Sequence, residues 1–445
     1  MNPSIFKSYD VRGIYPSDID EKAAYDIGFA AAETLGFRTV AVGRDARESG
    51  PALLEELTRG LTDAGCDVID IGMITTPMLY FASWHLNVDG AISVTASHNP
   101  PEYNGVKICK KNAVPVGEAS GLFDIRDRVL AGNFEIEKSQ GSVRPEDIKD
   151  AYYEHFTSFA DFGKSSFTLA IDCANTMGVL ELPLYERFRE NFILKKLYCD
   201  LDRPYTAHEA NPLNTETLDE LREFVQTTHA DLGIAYDGDA DRVGFIDETG
   251  AIIPMDLVTG LIARELLKEH PGATILYDLR SSDAVKEIIE KSGGVARECR
   301  VGHAFIKARM REEEALFAGE LSGHYYFEAN CNGEASTLAA FTLLNLMAKT
   351  GKKISELTAD LGRYCHSGEI NSEVTDKDAI MEKLKRTYAD GKISELDGIK
   401  IRLADWWLNV RPSNTEPVLR LNLEAKTKEL MEEKTQEVLA IIREK

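Results

Sequence analysis

The chain has few cysteines and no long apolar run. Its 445 residues include seven cysteines, an odd number in which no two form a CxxC pair. A disulfide framework is therefore not expected. The cysteine usage instead predicts a reducing, cytoplasmic location. No stretch approaches the roughly 20 apolar residues of a membrane span, so a membrane is not an expected partner. The first residues lack an apolar signal region, which argues against secretion.

Basic residues are the minority in this chain. There are 51 Lys and Arg against 74 Asp and Glu, which gives a net charge of -23. This balance disfavours nucleic acid as a partner. An anionic small molecule stays compatible with it, provided that basic residues gather locally to receive the anion. The length fits about three or four domains of ordinary size and leaves the oligomeric state open.

One α/β pattern recurs three times. Short apolar runs bounded by turn residues alternate with helical patterns, which is typical of α/β units. Each copy ends a central strand in a polar loop, and open α/β sheets bind ligands at such strand ends. The predicted strands lie at 39–42, 91–94, 167–171, 232–235, 274–277 and 315–318.

The tail has a different pattern. Strands are predicted at 399–403, 406–410 and 419–423, followed by a helix over 428–443. This order reads as a small α+β domain. The sequence therefore predicts four domains, with residues 1–148, 149–250, 251–364 and 365–445.

A serine and a histidine follow the predicted strand at 91–94. Ser97 could act as a nucleophile, but serine is weak unless a neighbouring group activates it. His98 and Lys107 are the candidates to move a proton. The alternative is that the Ser-His pair is an ordinary surface dipeptide.

Three aspartates follow the predicted strand at 232–235. Asp237, Asp239 and Asp241 alternate along the chain, so their carboxylates can converge on one hard cation such as Mg²⁺. An EF-hand calcium loop is an alternative, since Glu248 stands at its twelfth position. It is disfavoured because Arg242 occupies the sixth position, where that loop needs glycine, and because the flanks read as strands rather than helices. A solvated acidic turn is the remaining alternative.

Two further loops carry polar side chains suited to a phosphorylated sugar. Glu320, Ser322 and His324 alternate after the strand at 315–318 and suit vicinal hydroxyls, although a plain polar turn fits equally. The loop 411–417 brings a guanidinium, hydroxyls and backbone N–H groups to one turn. Such a set can hold a phosphate dianion, and the alternative is a proline-containing hairpin turn.

These four loops occur together with three further motifs. The chain carries YDVRG at 9–13, GRDAR at 43–47 and VGHAFIK at 301–307. In this order the set resembles the α-D-phosphohexomutase family, and its phosphomannomutase/phosphoglucomutase branch most closely. The resemblance covers essentially the whole chain. It implies an α/β fold class: three related α/β domains with mixed sheets and a C-terminal α+β domain around a central active-site cleft.

The resemblance also implies a role for each candidate residue. Ser97 would carry a phosphoryl group and share Mg²⁺ with Asp237, Asp239 and Asp241. Arg12, Lys107 and Arg242 would surround that group, with Lys107 or His98 handling protons. The implied substrate-binding residues are Tyr9, Arg44, Arg280, Gly302, His303, Glu320, Ser322, His324, Arg411, Ser413, Asn414, Thr415 and Arg420.

The implied reaction interconverts hexose 1-phosphate and hexose 6-phosphate, of mannose or glucose, through a hexose 1,6-bisphosphate that also serves as activator. A phosphoglucosamine mutase is the alternative enzyme, and Asn414 favours the hexose branch over it. A catalytically silent phosphosugar-binding protein is the alternative from another class. A metal-dependent phosphatase would require water to reach the phosphoserine, which closure of the cleft should limit.

Overall fold

The structure is a computed structural model that describes residues 2–359, 361–412 and 418–444. The described residues form four sheets, of seven, five, five and six strands. Helices lie between the strands of the first three sheets. None of the described helices is both long and apolar enough to span a bilayer.

The first sheet has the strand order β1-β5-β4-β2-β3-β7, with β6 paired to β5. Its strands and the helices around them are β1 (Val11–Ile14), α1 (Glu21–Leu35), β2 (Thr39–Arg44), α2 (Gly50–Asp63), β3 (Asp67–Met73), α3 (Thr76–His85), β4 (Gly90–Val94), β5 (Tyr103–Lys110), β6 (Val114–Pro115), α4 (Leu122–Ala131) and β7 (Val143–Pro145).

The second sheet has the order β12-β11-β10-β8-β9. Its elements are α5 (Lys149–Thr157), β8 (Phe167–Asp172), α6 (Leu182–Glu186), β9 (Phe192–Leu197), α7 (Asp219–Thr228), β10 (Leu232–Tyr236), β11 (Val243–Asp247) and β12 (Ile252–Ile253).

The third sheet has the order β14-β13-β15-β16-β17. Its elements are α8 (Met255–Glu269), β13 (Thr274–Asp278), α9 (Asp283–Lys291), β14 (Val295–Cys299), α10 (His303–Glu312), β15 (Phe317–Gly319), β16 (Tyr325–Phe327), β17 (Gly333–Glu334), α11 (Ser336–Thr350) and α12 (Ile354–Thr358).

The fourth sheet is antiparallel throughout its described pairs and has the order β18-β23-β22-β21-β20, with β19 also paired to β23. Its elements are β18 (Cys365–His366), β19 (Ile370–Glu373), α13 (Lys377–Thr387), β20 (Lys392–Ser394), β21 (Ile399–Arg402), β22 (Trp406–Pro412), β23 (Val418–Ala425) and α14 (Lys428–Ile442). Short 3-10 helices lie at Pro3–Ile5, Glu118–Ser120, Met177–Glu181, Thr215–Leu218 and Glu328–Asn330.

The first three sheets repeat one arrangement. In each, three parallel strands are followed by an antiparallel strand, in the orders β3-β2-β4-β5, β9-β8-β10-β11 and β14-β13-β15-β16. The connection between the last two strands of each set is the loop that carries Ser97, the three aspartates or Glu320. The predicted threefold α/β repeat and the α+β tail are confirmed.

The predicted strands differ from the observed ones by one or two residues at their ends, and two of these differences concern the functional loops. The strand expected at 315–318 is Phe317–Gly319, because Leu316 lies outside the ladder and its amide donates to the Thr274 carbonyl. The strand expected to end at Val410 continues to Pro412 and places Arg411 opposite Arg420 of β23. Arg411 is therefore a strand residue rather than a residue of the turn.

The apolar core joins the first three domains but not the fourth. One buried cluster contains Phe81 of α3, Tyr185 of α6 and Phe341 of α11, so it runs continuously through three domains. The C-terminal domain has a separate core that includes Leu408 and Leu421. Ion pairs contribute to the contact between this domain and the third one.

Candidate active site

The loop after β4 holds Ser97 in a strained and buried position. Its φ is +51°, in the left-handed region that non-glycine residues seldom adopt, and its amide donates to Thr95 Oγ1 at 3.0 Å. A strained residue persists only where its surroundings fix it, and such residues concentrate at functional sites.

Arg47 fixes this loop. Its buried guanidinium pairs with Asp45 at 3.1 Å and donates to the carbonyls of Ser97 at 2.8 Å and Asn99 at 2.7 Å. Sequence reasoning selected Arg44 of the same motif and missed Arg47. Arg44 is half-buried, and its described hydrogen bond goes to the Asp45 carbonyl. The Asp-Ala-Arg spacing at 45–47 was the available signal, because it suits a local ion pair.

The loop between β10 and β11 brings the three predicted aspartates together. The side chains of Asp237, Asp239 and Asp241 are buried, and one oxygen of each lies within 4.8 Å of the others. Asp239 Oδ1 is buried without a hydrogen-bond partner among the described residues. A buried carboxylate oxygen left unsatisfied is costly, and hard carboxylate oxygens are the ligands that Mg²⁺ prefers. The donor set therefore fits a divalent cation.

Ser97 lies against this acidic loop. Its hydroxyl donates to Asp237 Oδ2 across 3.1 Å. Burial, followed by the charge of Asp241, raises the pKa of Asp237 to about 7. Because a bound cation would favour the charged form, this carboxyl becomes a better ligand once a metal balances the loop.

Lys107 of β5 is the cation nearest two of these aspartates. Its Nζ lies 2.9 Å from Asp239 Oδ2 and 2.7 Å from Asp241 Oδ2. Burial alone would lower the pKa of Lys107, but the two carboxylates raise it, so the ammonium stays charged. Burial would likewise raise the pKa values of both aspartates, and Lys107 helps to lower them. Thr76, which sequence reasoning missed, also donates to Asp239 Oδ2, at 2.6 Å.

Two arginines complete the surroundings of Ser97. Arg242 donates through Nε to Asp237 Oδ2 at 3.1 Å and through Nη2 to Nδ1 of His98. Burial, then the charges of Arg242 and Arg12, lower the pKa of His98 to about 2, so its ring is neutral. Arg12 pairs with Asp10 at 2.8 Å and donates to Asn99 Oδ1 of the serine loop at 2.6 Å.

The third polar loop connects directly to the metal-binding one. Arg242 and His324 form an isolated antiparallel bridge between the two loops. His324 Nε2 lies 3.4 Å from Asp241 Oδ1, and its Nδ1 lies 2.9 Å from Ser322 Oγ. Burial would lower the pKa of His324, but the charge of Asp241 and the contact with it raise it.

Glu320 connects this loop to the rest of the third domain. It accepts hydrogen bonds from the hydroxyl of Tyr326 and, at 3.4 Å, from the amide of Gly302. Two further polar side chains lie near it: His324, whose Nδ1 is 3.6 Å from Oε1, and Arg280, whose Nη2 is 3.7 Å from Oε2. Arg280 itself forms a two-point ion pair with Asp278, at 3.1 and 2.7 Å.

The predicted residues of the first and third domains also meet. The ring of Tyr9 packs edge-on against that of His303, with 5.2 Å between centroids. A side chain at Gly302 would place its Cβ 2.7 Å from the Tyr9 hydroxyl, so glycine permits this approach. Burial raises the pKa of Tyr9 to about 12 and lowers the pKa of His303 well below its usual value.

The C-terminal domain contributes a pair of arginines held by one glutamate. Arg411 Nη2 donates to Glu369 Oε2 at 2.7 Å, and Arg420 Nη1 lies 3.5 Å from Glu369 Oε1. Arg280 of the third domain lies 3.7 Å from Glu369 Oε2. Sequence reasoning missed Glu369, which precedes β19 and lies outside the phosphate loop. Ser413, Asn414 and Thr415 lie outside the described residues.

Successive contacts link predicted residues of all four domains. The path runs from Ser97 to the aspartates, through His324 to Glu320, and then through Arg280 and Glu369 to Arg411. Among the predicted residues that the structure describes, Arg44 has no described side-chain contact with a residue of this path.

Comparison with known proteins gives the same family for four successive segments of the chain. The descriptions that match are phosphoglucomutase/phosphomannomutase alpha/beta/alpha domain I over residues 3–135, domain II over 150–250, domain III over 254–364 and the C-terminal domain over 369–441. A phosphomannomutase of Methanocaldococcus jannaschii is 40% identical over 443 residues, covering 98% of this chain and 97% of that protein.

Two further proteins are similar over their full length. One is a protein of Xanthomonas campestris described as phosphohexose mutases. It is 35% identical to this chain, and the match covers 100% of both proteins. A crystal structure of a phosphoglucomutase/phosphomannomutase family protein from Burkholderia thailandensis superposes with a TM-score of 0.91 at 30% identity. That match covers 100% of this chain and 98% of the other. This chain therefore belongs to the phosphoglucomutase/phosphomannomutase family of phosphohexomutases.

Proposed function

We propose that this enzyme interconverts hexose 1-phosphate and hexose 6-phosphate, with mannose or glucose as the sugar. The observation that carries the proposal is the position of Ser97. Its hydroxyl lies 3.1 Å from a buried carboxylate of a three-aspartate loop, and that loop contacts the loop of Glu320 and Ser322. Phosphoryl transfer requires this combination of an attacking oxygen, charge neutralisation and a sugar-positioning loop.

In the proposed cycle Ser97 carries a phosphoryl group. The hydroxyl of the bound hexose monophosphate attacks the phosphorus, a new P–O bond forms, and the bond from phosphorus to Ser97 Oγ breaks. The product is a hexose 1,6-bisphosphate. It turns over in the site, and its other phosphoryl group returns to Ser97 Oγ, which releases the isomeric monophosphate. Each transfer moves one phosphoryl group between Ser97 and the sugar, and none is lost to water. A hexose 1,6-bisphosphate can therefore phosphorylate Ser97 of unphosphorylated enzyme, and a small quantity of it is enough to activate the enzyme.

Asp237, Asp239 and Asp241 would hold Mg²⁺, with an oxygen of the phosphorylated Ser97 as a further ligand. The ion would neutralise charge on the transferring group. The protein supplies the remaining positive charge through Arg12, Lys107 and Arg242. A phosphoserine carries close to two negative charges, so this surround also reduces its repulsion of the substrate phosphate.

The charge states of Lys107 and His98 suggest how they divide the proton chemistry. The raised pKa of Lys107 keeps it an ammonium, which can donate to the oxygen that leaves phosphorus. The neutral ring of His98 can accept a proton from an attacking hydroxyl, although its low pKa makes it a weak base.

The other predicted residues are proposed to hold the substrate. Glu320 and Ser322 would bind sugar hydroxyls beside His324. The non-reacting phosphate would lie in the C-terminal domain. The full proposed substrate-binding set is Tyr9, Arg44, Arg280, Gly302, His303, Glu320, Ser322, His324, Arg411, Ser413, Asn414, Thr415 and Arg420. The proposed domain boundaries follow residues 148, 250 and 364.

The relatives support a hexose as the substrate. One is named a phosphomannomutase and another phosphohexose mutases, so mannose and glucose both belong in the proposal. A phosphoglucosamine mutase is the alternative, and a silent phosphosugar-binding protein is a weaker one. A cytoplasmic location agrees with the cysteine usage, and neither nucleic acid nor a membrane is a proposed partner.

The decisive experiment compares mutase turnover on glucose 1-phosphate, mannose 1-phosphate and glucosamine 1-phosphate, each with Mg²⁺ and the matching bisphosphate. We expect turnover of glucose 1-phosphate, mannose 1-phosphate or both, at kcat/KM values well above that for the amino sugar. A preference for glucosamine 1-phosphate would favour the alternative enzyme. Binding of all three without turnover would identify a binding protein.

A further inference from the structure

We propose that Glu369 is a built-in competitor for the substrate's phosphate, occupying arginine donors that this phosphate uses when it binds. The inference rests on the proposed function, in which Arg411 and Arg420 anchor the non-reacting phosphate. It assigns a role to a residue outside every predicted motif. Glu369 acts through these arginines and is therefore a positioning residue.

Glu369 lies between two arginines of neighbouring strands. Arg411 and Arg420 lie directly opposite each other on β22 and β23, and like charges in that register repel. Glu369 places one carboxylate oxygen toward each of them, at 2.7 Å from Arg411 and 3.5 Å from Arg420. A phosphate can present two oxygens bonded to one phosphorus to the same two guanidinium groups, just as the carboxylate of Glu369 presents two oxygens bonded to one carbon. The carboxylate thus satisfies donors that a phosphate would otherwise bind.

The arginines around Glu369 already have carboxylate partners. Among the described contacts, Arg280, Arg411 and Arg420 pair with the carboxylates of Glu369, Asp278 and Glu320, and His324 lies 3.6 Å from Glu320. These carboxylates offset the charge of the arginines before any substrate arrives. A phosphate dianion that joined the group intact would bring two further negative charges beside them, which is unfavourable in a half-buried site.

The three carboxylates differ in how firmly the protein holds them. Asp278 is fully buried and bound to Arg280 at two points, and Glu320 is 2% exposed and bonded to Tyr326. Glu369 is the most exposed of the three, with a side chain 25% accessible, and it lies in the short segment between β18 and β19. It can swing toward water at the lowest cost of the three.

The test measures binding of inorganic phosphate and of glucose 6-phosphate by calorimetry to the full-length protein. Glu369→Gln keeps the shape of the side chain and removes its charge. We expect it to bind both ligands on the order of 10-fold more tightly than the unmodified protein. In turnover, KM should fall while kcat does not rise, because a more tightly held product leaves more slowly.

Glu298→Gln is the matched control. Glu298 also joins the third and fourth domains, through Lys400 at 2.5 Å and Arg402 at 2.9 Å, but it contacts none of the three phosphate-site arginines. This variant should lower the melting temperature and leave phosphate affinity unchanged. A merely structural role for Glu369 would give the same pattern in Glu369→Gln and would overturn the proposal.

Two further variants make the result specific. Glu369→Asp keeps the charge on a shorter side chain that reaches the two arginines less well, so it should also bind phosphate more tightly than the unmodified protein, by a smaller factor. The double variant Glu369→Gln/Arg411→Ala should lose the gain in phosphate affinity, which would show that the gain arises at this site.

Equal or weaker phosphate binding by both single Glu369 variants would overturn the inference. Absence of mutase turnover by the unmodified protein would instead contradict the proposed function, and the phosphate-binding comparison would still decide the role of Glu369.

Discussion

Gly238 lies so close to Ser97 that the two loops leave no room for a methyl group between them. A Cβ at Gly238 would stand 2.1 Å from the Ser97 carbonyl oxygen and 2.7 Å from its carbon. Both atoms are backbone and cannot rotate away. The close approach of the metal-binding loop to the serine loop therefore depends on glycine at this position.

Gly238→Ala should separate the serine from the aspartates. We expect kcat/KM to fall on the order of 100-fold, since displacements of about 1 Å have such effects on transfer reactions. Gly362→Ala is the control, because a Cβ there meets no described atom within 4 Å. Steady-state kinetics and melting temperatures of both variants check the prediction. A Gly238→Ala enzyme with normal turnover would mean that the loops need not touch.

Ser97 should carry one phosphoryl group after incubation with a hexose 1,6-bisphosphate. The reason is its position beside Asp237, where cations and a metal can stabilise the phosphorylated state. Intact-mass measurement should detect the added group in the unmodified protein and not in Ser97→Ala. Full mutase turnover by Ser97→Ala would show that another residue carries the phosphoryl group.

Asp239→Asn should weaken Mg²⁺ binding. Because Asp239 is a proposed ligand of the ion, its removal should lower metal affinity by at least roughly 10- to 100-fold, the loss found even for residues that only orient ligands. The rise in melting temperature on adding Mg²⁺ measures this without any assay of turnover. Asp200→Asn, at an exposed residue, should keep the full rise. An equal rise in both variants would place the metal elsewhere.

The sequence predicted the chemistry of the loops but not what holds them. Ser97 and the three aspartates end buried strands, and strand ends of a repeated sheet lie at comparable positions, so their convergence followed from the pattern. Arg47 and Glu369 act across long sequence separations, on Asn99 and Arg411 respectively. Each of these partners lies in the same domain as the residue it contacts, but it is brought there by the packing of segments that are distant in sequence, and neither periodicity nor motif spacing encodes that packing. Arg411 was expected in a turn because the proline after it suggested one, yet the ladder continues through both residues.

His208 should make stability depend on pH. Its Nε2 lies 2.9 Å from the buried carboxylate of Asp172. Burial would lower the pKa of His208, but the hydrogen bond and charge of Asp172 raise it above its usual value. A raised pKa in the folded state adds stability that is fully present below the unfolded pKa and is lost as the pH rises through the folded one.

The comparison of His208→Gln with the unmodified protein tests this sign. The loss in melting temperature should be larger at about pH 6 than at about pH 8.5, because the histidine is charged only in the acidic sample. His270→Gln, at an exposed histidine, should show no such difference. A loss that grows toward alkaline pH would contradict the charged pair.

Arg411→Ala should weaken the anchoring of the non-reacting phosphate. The guanidinium makes a charge-assisted contact worth about 1.5–3 kcal/mol, which corresponds to roughly a 10- to 150-fold loss in kcat/KM. Both transfers of the proposed cycle need the same anchor, so the bisphosphate should also escape into solution more often. Arg402→Ala is the matched control, because Arg402 belongs to the same sheet but pairs with Asp283 and Glu298. Its kcat/KM should stay close to that of the unmodified enzyme, although the melting temperature falls. If Arg411→Ala retained normal kcat/KM and released no additional bisphosphate, the phosphate would have to be held by residues other than this arginine.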